Sequence, residues 1–321
     1  MSSTEPKPAE SNKPHRPLRK RLFVWAKRLL ILGLALLLCA MLFTRWVAGK
    51  QSAPGLVESV GDVDTSLTKD ELVVMSVNCA HGRGEGWHQL LTANETLKAN
   101  CESIGRLLAE HGADVVCMQE CDAPSWWSGG FDHAKTIAEA AKLPRMVQAL
   151  NVDGAGLHYG TAMLSRFEIE DSMIYTFRPT PPTFSKGVTI AQMQWPGDDT
   201  FVFDVVAVHL DFASGSARGR QVDELVSVLR KRGRPIILAG DLNSDWDTDG
   251  AAQQLASALQ LTAFEPDSEM VTFPFTGERL DWVLVSKDFE ITAVEAIDAK
   301  LSDHRPLRAV VRRHDRTPAE G

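Results

Sequence analysis

From Glu71 onward the chain is built of short apolar runs that end in polar residues. ELVVMSVN closes at Asn78, ADVVCMQE at Glu120, and RPIILAG leads into Asp241 and Asn243. Their length and β-branched content predict buried strands. GVTIAQMQW, the turn PGDD and TFVFDVVAVHLD predict a hairpin whose second strand reaches His209 and Asp211. GTAMLSRFEIED predicts one more strand, RLDWVLVS another containing Asp281, and SDHRPLRAVVRR a last one preceded by Asp303 and His304. Elsewhere the period turns helical. Leu97, Cys101, Ile104 and Leu108 follow a Thr92-x-x-Glu95 capping box and stop at Gly112. SARGRQVDELVSVLRKRG sets Val222, Leu225, Val226 and Leu229 on one face before Gly233, and its basic end, Arg230 to Arg234, reads as solvated. GAAQQLASALQL predicts a further helix capped by Asp247 or Asp249. Strands interleaved with helices and a hairpin predict an α/β (α+β) body of two mixed sheets packed face to face with helices outside, rather than a doubly wound parallel sheet.

The strand ends carry the candidate chemistry. In an extended chain residues i and i+2 share a face, so Asp241 and Asn243 are expected to point together while Leu242 enters the core. Asn78, Glu120, His209 and Asp241 each end a separate run, and Asp303 and His304 precede one. Core strands whose polar ends collect at one rim make an oxygen-rich, acidic pocket. Singly, each residue has a plainer explanation: an Asx turn for Asp241 and Asn243, a solvated turn for Glu120, a satisfied buried histidine for His209. Independent turns do not supply this whole set in this order. The alternation Asp241, Asn243, Asp245, Asp247, Asp249 mimics a calcium loop, but Trp246 stands where that loop needs Gly and Ala252 where it needs Glu, which excludes it.

Charge divides the chain. Residues 1–50 hold ten of the 34 Lys and Arg but only two of the 42 Asp and Glu, so the whole-chain charge of −8 resolves into +8 there and −16 over the rest. So acidic a body lacks the footprint of a tight, non-specific nucleic-acid binder, although a local basic groove stays compatible with it. Residues 1–21 read as a disordered basic tail on the cytoplasmic side. Residues 22–47 read as a signal anchor whose uncharged core, Leu29 to Phe43, spans about 22 Å as helix, a little short of the ~30 Å hydrocarbon layer. Arg28 and Arg45 can snorkel, and Trp25 and Trp46 can anchor at the interfaces. A cleaved signal, which would leave a secreted protein, and a packed soluble helix are the alternatives, and no clear A-x-A site follows the core. Basic residues before the span keep the amino terminus inside and send the remainder across. Residues 48–70 read as a linker, 71–313 as the catalytic-sized domain and 314–321 as a tail. Cys79, Cys101, Cys117 and Cys121 permit disulfides in an exported domain, yet Cys79 and Cys117 lie in apolar runs that suit buried thiols equally.

At VNCAHG, MQE, VVAVHLD, AGDLNSD, RLDWVLVS and LSDHRPL the chain resembles the endonuclease/exonuclease/phosphatase superfamily, the divalent-metal phosphoesterase fold of DNase I, exonuclease III and the neutral sphingomyelinases. The resemblance implies a four-layer α/β sandwich with its site at one edge of the paired sheets. It implies Glu120 as principal metal ligand, with Asn78 and Asp303 beside it. Oxygen ligation by few protein groups suits Mg²⁺, with Mn²⁺ as a possible substitute. It further implies Asp241 and Asn243 positioning water and phosphate, His304 held by Asp281, and His209 donating to a phosphoryl oxygen, with Asp241 and His304 both open as general base. In the Gly-rich AHGRGEGWHQ loop, His81, Arg83 and His88 are placed to reach the phosphate or what lies beyond it, or the loop is plain surface. Trp126 and Trp127 stack on a base, dip into a bilayer or pack. The expected function is a membrane-anchored, Mg²⁺-dependent phosphoester hydrolase, cleaving phosphodiesters, that acts on a phospholipid or small organic phosphoester. A DNA or RNA nuclease is the alternative, and an inactive binding module on the same scaffold the rival of another class. No obligate protein partner is expected.

Overall fold

The computed structural model describes residues 18–246, 250–266 and 268–314. The tail through residue 17, the predicted caps Asp247 and Asp249, and residues 315–321 lie outside the described residues. Two mixed β-sheets pack face to face. One orders its strands Phe289–Ala296, Leu307–Arg313, Glu71–Asn78, Val115–Asp122, Leu157–Ser165, Arg145–Gln148 and Val57–Ser59, with Val152–Gly154 paired to Leu157–Ser165. The other runs Ser52–Pro54, Asp171–Thr176, Gly187–Trp195, Asp198–His209, Ile236–Asp241, Asp281–Ser286 and Leu261–Ala263. Five helices, α1 Leu18–Trp46, α2 Asn94–Glu110, α3 His133–Ala141, α4 Gly215–Arg232 and α5 Ala251–Leu259, complete the described residues together with two short 3₁₀ turns.

Alternation sorts the strand residues into layers. Val205 and Ala207 face the space between the sheets with Phe203, Ile237 and Val283, whereas Val206 and Val208 face α4 and α5. Across the sandwich, Val74 and Cys117 point inward, while Met75 and Met118 meet α2 and α3. Burying each such large side chain contributes about 1.5–3 kcal/mol. The layers are therefore helix, sheet, sheet, helix, as expected.

Two strand pairs are parallel, Glu71–Asn78 with Val115–Asp122, and Asp198–His209 with Ile236–Asp241. Each is joined by a crossover helix, α2 in the first case and α4 in the second. Parallel pairing brings carboxyl ends to one rim, which is why His209 lies in register with Asp241 and Asn78 beside Gln119. Gly240 permits this close approach: a Cβ there would stand 2.0 Å from the Val208 carbonyl oxygen.

Several local expectations need correction. GTAMLSRFEIED is two strands in different sheets, because Arg166 is drawn to buried Asp114 at 3.0 Å and Ser165 turns its hydroxyl onto Phe167. α2 starts after Ala93 without a side-chain cap; the Thr92 hydroxyl donates to the His88 carbonyl instead. Nor is the basic end of α4 simply solvated: Arg232 grips buried Asp204 with two bonds of 2.7 and 2.8 Å, and Arg230 donates to the Ala258 carbonyl. Residues 48–70, expected as a linker, lend Ser52–Pro54 to one sheet and Val57–Ser59 to the other. The apolar stretch of α1 extends over 22 residues, Trp25–Trp46, about 33 Å of helix and long enough for the hydrocarbon layer by length and composition. All four cysteines beyond α1 are free and buried.

Candidate active site

The polar strand ends meet in one cavity of about 520 Å³, lined by Asn78, Arg83, Glu120, His209, Asp241, Asn243, Asp303 and His304 among others. Its size suits a small organic group. Asp241 is the hub. Its Oδ2 accepts from Asn78 Nδ2 at 3.1 Å and lies 3.5 Å from His209 Nε2 and 3.7 Å from His304 Nε2. Asn78, expected beside the metal, is thus spent largely on protein: its Oδ1 accepts the Ala80 amide at 3.0 Å. Burial, with the nearby Asp281 charge, pushes the Asp241 carboxyl up to about 7 against the pull of His304.

Asn243 reaches the cavity by a different route from the one alternation suggests. The strand ends at Asp241, and Asn243 takes a left-handed conformation (φ 47°), so a turn rather than the pleat brings it round. Asp241 Oδ1 accepts the Asn243 amide at 2.9 Å, so the Asx turn and the cavity wall are the same structure. Leu242 is buried, as expected.

Behind the cavity wall, Asp281 Oδ2 accepts from His304 Nδ1 at 2.8 Å. Burial disfavours the imidazolium, but Asp281 and Asp241 outweigh it and raise His304 to about 10. His209 is the opposite case. Burial and the neighbouring Lys186 hold it well below its usual range, so it is neutral near pH 7. Lys186 Nζ faces its Nδ1 at 3.4 Å, which leaves the ring proton on Nε2, toward the cavity.

Glu120 sits at a break in its strand, with φ 49° and a register shift between Met118 and Cys121. The break turns its carboxylate into the cavity. Around it stand His81 Nε2 at 3.5 Å, Arg83 at 3.5 Å and Lys186 at 3.6 Å. Burial opposes its charge, yet these cations hold the carboxyl well below the ordinary range. Arg83 also pairs with Asp303, bridging the two carboxylates. His81 lies behind Glu120 rather than in the cavity wall, its Nδ1 held by buried Asp122 at 2.6 Å. His88 instead accepts the Leu90 amide at the surface. Trp127 packs on His81 and Tyr159, while Trp126 stays exposed.

Glu120 and Asp303 bring carboxylate oxygens, the hard donors a divalent cation takes, to one cavity wall, with Arg83 bridging them. His81, Arg83 and Lys186 stand 3.5–3.6 Å from the Glu120 oxygens and already offset its charge in this structure. Asp241, Asp281 and His304 also bring one ligand atom each within 4.8 Å of one another. There, however, Nδ1 is spent on Asp281 and the ring is cationic, which suits proton handling better than metal binding.

Sequence reasoning missed Lys186 and Asp122. Lys186 immediately precedes the buried strand Gly187–Trp195, the same signal that marked Asp303 and His304. Asp122 was hidden by the strand break at Glu120.

The endonuclease/exonuclease/phosphatase family model matches residues 75–304. Solved structures share the fold. A mannosyl-6-phosphatase from Bacteroides thetaiotaomicron superposes with TM-score 0.59 at 18% identity, covering 75% of this chain and 99% of its own. Sphingomyelinase C from Streptomyces griseocarneus gives 0.52 at 17%, covering 77% and 100%. D. rerio TDP2, complexed with a single strand DNA product, gives 0.56 at 17%, covering 76% and 100%. Curated proteins gave no match.

Proposed function

The chain belongs to the endonuclease/exonuclease/phosphatase family, and from that premise we propose that it is a membrane-anchored, Mg²⁺-dependent hydrolase of phosphodiesters in a phospholipid or small organic phosphoester, with its catalytic domain outside the cytoplasm. The observation that carries the reading is the convergence of Asn78, Glu120, His209, Asp241, Asn243, Asp303 and His304 on one cavity.

Phosphoryl transfer asks mainly for alignment and charge neutralisation. Asp241 takes a proton from the attacking water as its oxygen bonds to phosphorus and the P–O bond to the leaving group breaks. Asn78 and the Asn243 turn fix that carboxylate. His209 presents Nε2–H to a phosphoryl oxygen. His304, kept cationic by Asp281, faces the same charge. Lys186 and Arg83 offset the acidic wall. Held by Glu120 and Asp303, Mg²⁺, or Mn²⁺ in its place, supplies further neutralisation of the phosphate.

Lipid or small phosphoester is favoured over nucleic acid by the net charge of −16 beyond residue 50 and by the apolar helix. The full chain in detergent is assayed on a chromogenic phosphodiester with Mg²⁺, with EDTA, and as Asp241→Ala. Rapid turnover in the first case only is expected; equal rates in all three leave the binding-module reading standing. Sphingomyelin, phosphatidylinositols, plasmid DNA and RNA are then compared at matched metal. Plasmid nicking without lipid turnover would reassign the enzyme as a nuclease. A reporter fused after Gly321 tests the topology: activity confined to the cytoplasm reverses it.

A further inference from the structure

The apolar helix does not end in a free tether. The residue that follows it belongs to the catalytic body: Val47 is 0% exposed and shares a core cluster with Val152, Leu157 and Tyr159. The backbone is fastened as well. The Val47 carbonyl accepts the Asp153 amide at 2.8 Å, and the Gly49 amide donates to the Asn151 carbonyl at 2.8 Å. Gly49 sits so close that a Cβ would stand 1.9 Å from the Leu150 carbonyl oxygen. Three residues further on, Ser52 is already paired into a sheet.

Ring contacts continue this junction to the site. Phe43, within the apolar span, meets Phe184 at 6.3 Å; Phe184 meets Tyr159 at 6.0 Å; Tyr159 meets His81 at 4.8 Å. His81 in turn touches Glu120. No link in this series lies in a flexible tether.

Three indoles face outward, Trp46 at the end of the helix and Trp87 and Trp126 on loops of the body. Trp46 is 71% exposed, Trp126 63% and Trp87 96%. Trp126 is held in that position: its ring N–H donates to the Ala155 carbonyl at 3.0 Å and its amide to Gly156 at 3.2 Å. That turn directly follows Gly154, whose Cα region lies against Val47. Trp87 precedes His88, whose ring meets Trp127 at 6.2 Å. Indoles fixed in water gain nothing, whereas at the headgroup level of a bilayer both their apolar body and their N–H are accommodated.

Resting on the reading of α1 as a membrane span, we propose that the catalytic domain lies directly on the outer leaflet, with Trp46, Trp87 and Trp126 in the headgroup layer. The occupant of this face is the bilayer that the protein's own helix crosses. Phe43 lies three residues from the end of the span, about 5 Å along the helix, so a domain that touches it sits at the interface. Electrostatics does not draw so acidic a body to lipid; apolar contact and the rigid junction do. The cavity is thereby held at a fixed height and accepts phosphoesters presented at the membrane surface.

The full chain, carrying Cys39→Ser, is reconstituted in phosphatidylcholine vesicles with a fluorophore on Trp126→Cys. A second preparation carries it on Lys287→Cys, at the end of Asp281–Ser286 remote from the cavity. Nitroxide-headgroup lipids should quench the label at 126 at least roughly threefold more than the label at 287. Gly49→Val, which breaks the junction, should abolish that difference, and Trp87→Ala, a fully exposed change, should reduce it. Equal quenching at 126 and 287 in the parent protein overturns the docked geometry. Hydrolysis of the soluble diester is read in the same vesicles: its persistence alongside equal quenching leaves the enzymatic reading intact, and its absence alongside the expected quenching supports docking while removing that reading.

Discussion

Replacing Asp281 by Asn tests whether His304 works as a cation. The pair is buried, with 2.8 Å between His304 Nδ1 and Asp281 Oδ2. Burial alone would lower the imidazole; Asp281 is first among the charges that instead lift it from 6.5 to about 10. That rise, on the order of 5 kcal/mol in favour of the charged ring, is the net of burial against Asp281, Asp241 and Asp303. Asp281→Asn removes the largest share, so burial gains the upper hand and the ring approaches neutrality near pH 7. The cavity then lacks one preorganised positive donor, a loss that costs about 10²- to 10³-fold in kcat. KM should move far less, because the lost interaction strengthens as charge develops on the phosphoryl oxygens. Initial rates on the chromogenic diester at saturating Mg²⁺ are compared for the parent, Asp281→Asn, His304→Ala and the double variant, with thermal melts as a check on folding. If Asp281 acts through His304, the double variant is no slower than His304→Ala alone. The reasoning fails if Asp281→Asn keeps kcat within about threefold, or if the two single losses multiply in the double variant.

Further expectations follow from the same geometry. Asp241 is pushed up to about 7 and must be deprotonated to accept the water's proton, so kcat/KM should climb with pH and level off above about 7; a flat pH profile contradicts its role as base. Glu120→Gln should abolish the Mg²⁺ binding heat in calorimetry, and an unchanged titration would remove Glu120 from the metal site. Lys186→Met strips a cation that stands 3.6 Å from Glu120 and 3.4 Å from His209, and should slow turnover by roughly 10²-fold without unfolding the protein. Gly240→Ala drives a Cβ against the Val208 carbonyl, which should lower stability by about 1–3 kcal/mol in denaturant melts and displace His209 from Asp241.

Much of the site could be read from strand ends. Asn78, His209 and Asp241 close their strands, and Asp303 and His304 precede theirs, because a polar group without a dedicated partner is least costly where a buried strand leaves the core. Other features depended on tertiary contacts. His81 was expected at the substrate and stands behind Glu120 because Asp122, brought close by the strand break, holds its ring. Lys186 carried the signal of a polar residue before a buried strand, but its importance comes from Glu120 and His209, which are 66 and 23 positions away in the chain. Asn243 faces the cavity through a left-handed turn rather than through alternation.

By itself, the chain's periodicity determined which segments become strands and helices, which faces are apolar, and that a long apolar helix precedes an acidic body, since these are properties of neighbouring residues. Only the tertiary structure decided that GTAMLSRFEIED crosses between sheets, that Ser52–Pro54 and Val57–Ser59 are edge strands, and that the chain leaving the helix packs into the domain at Val47. Pairing partners are chosen by packing between segments far apart in sequence, and a period of two or 3.6 residues says which way a side chain faces without saying what it will meet.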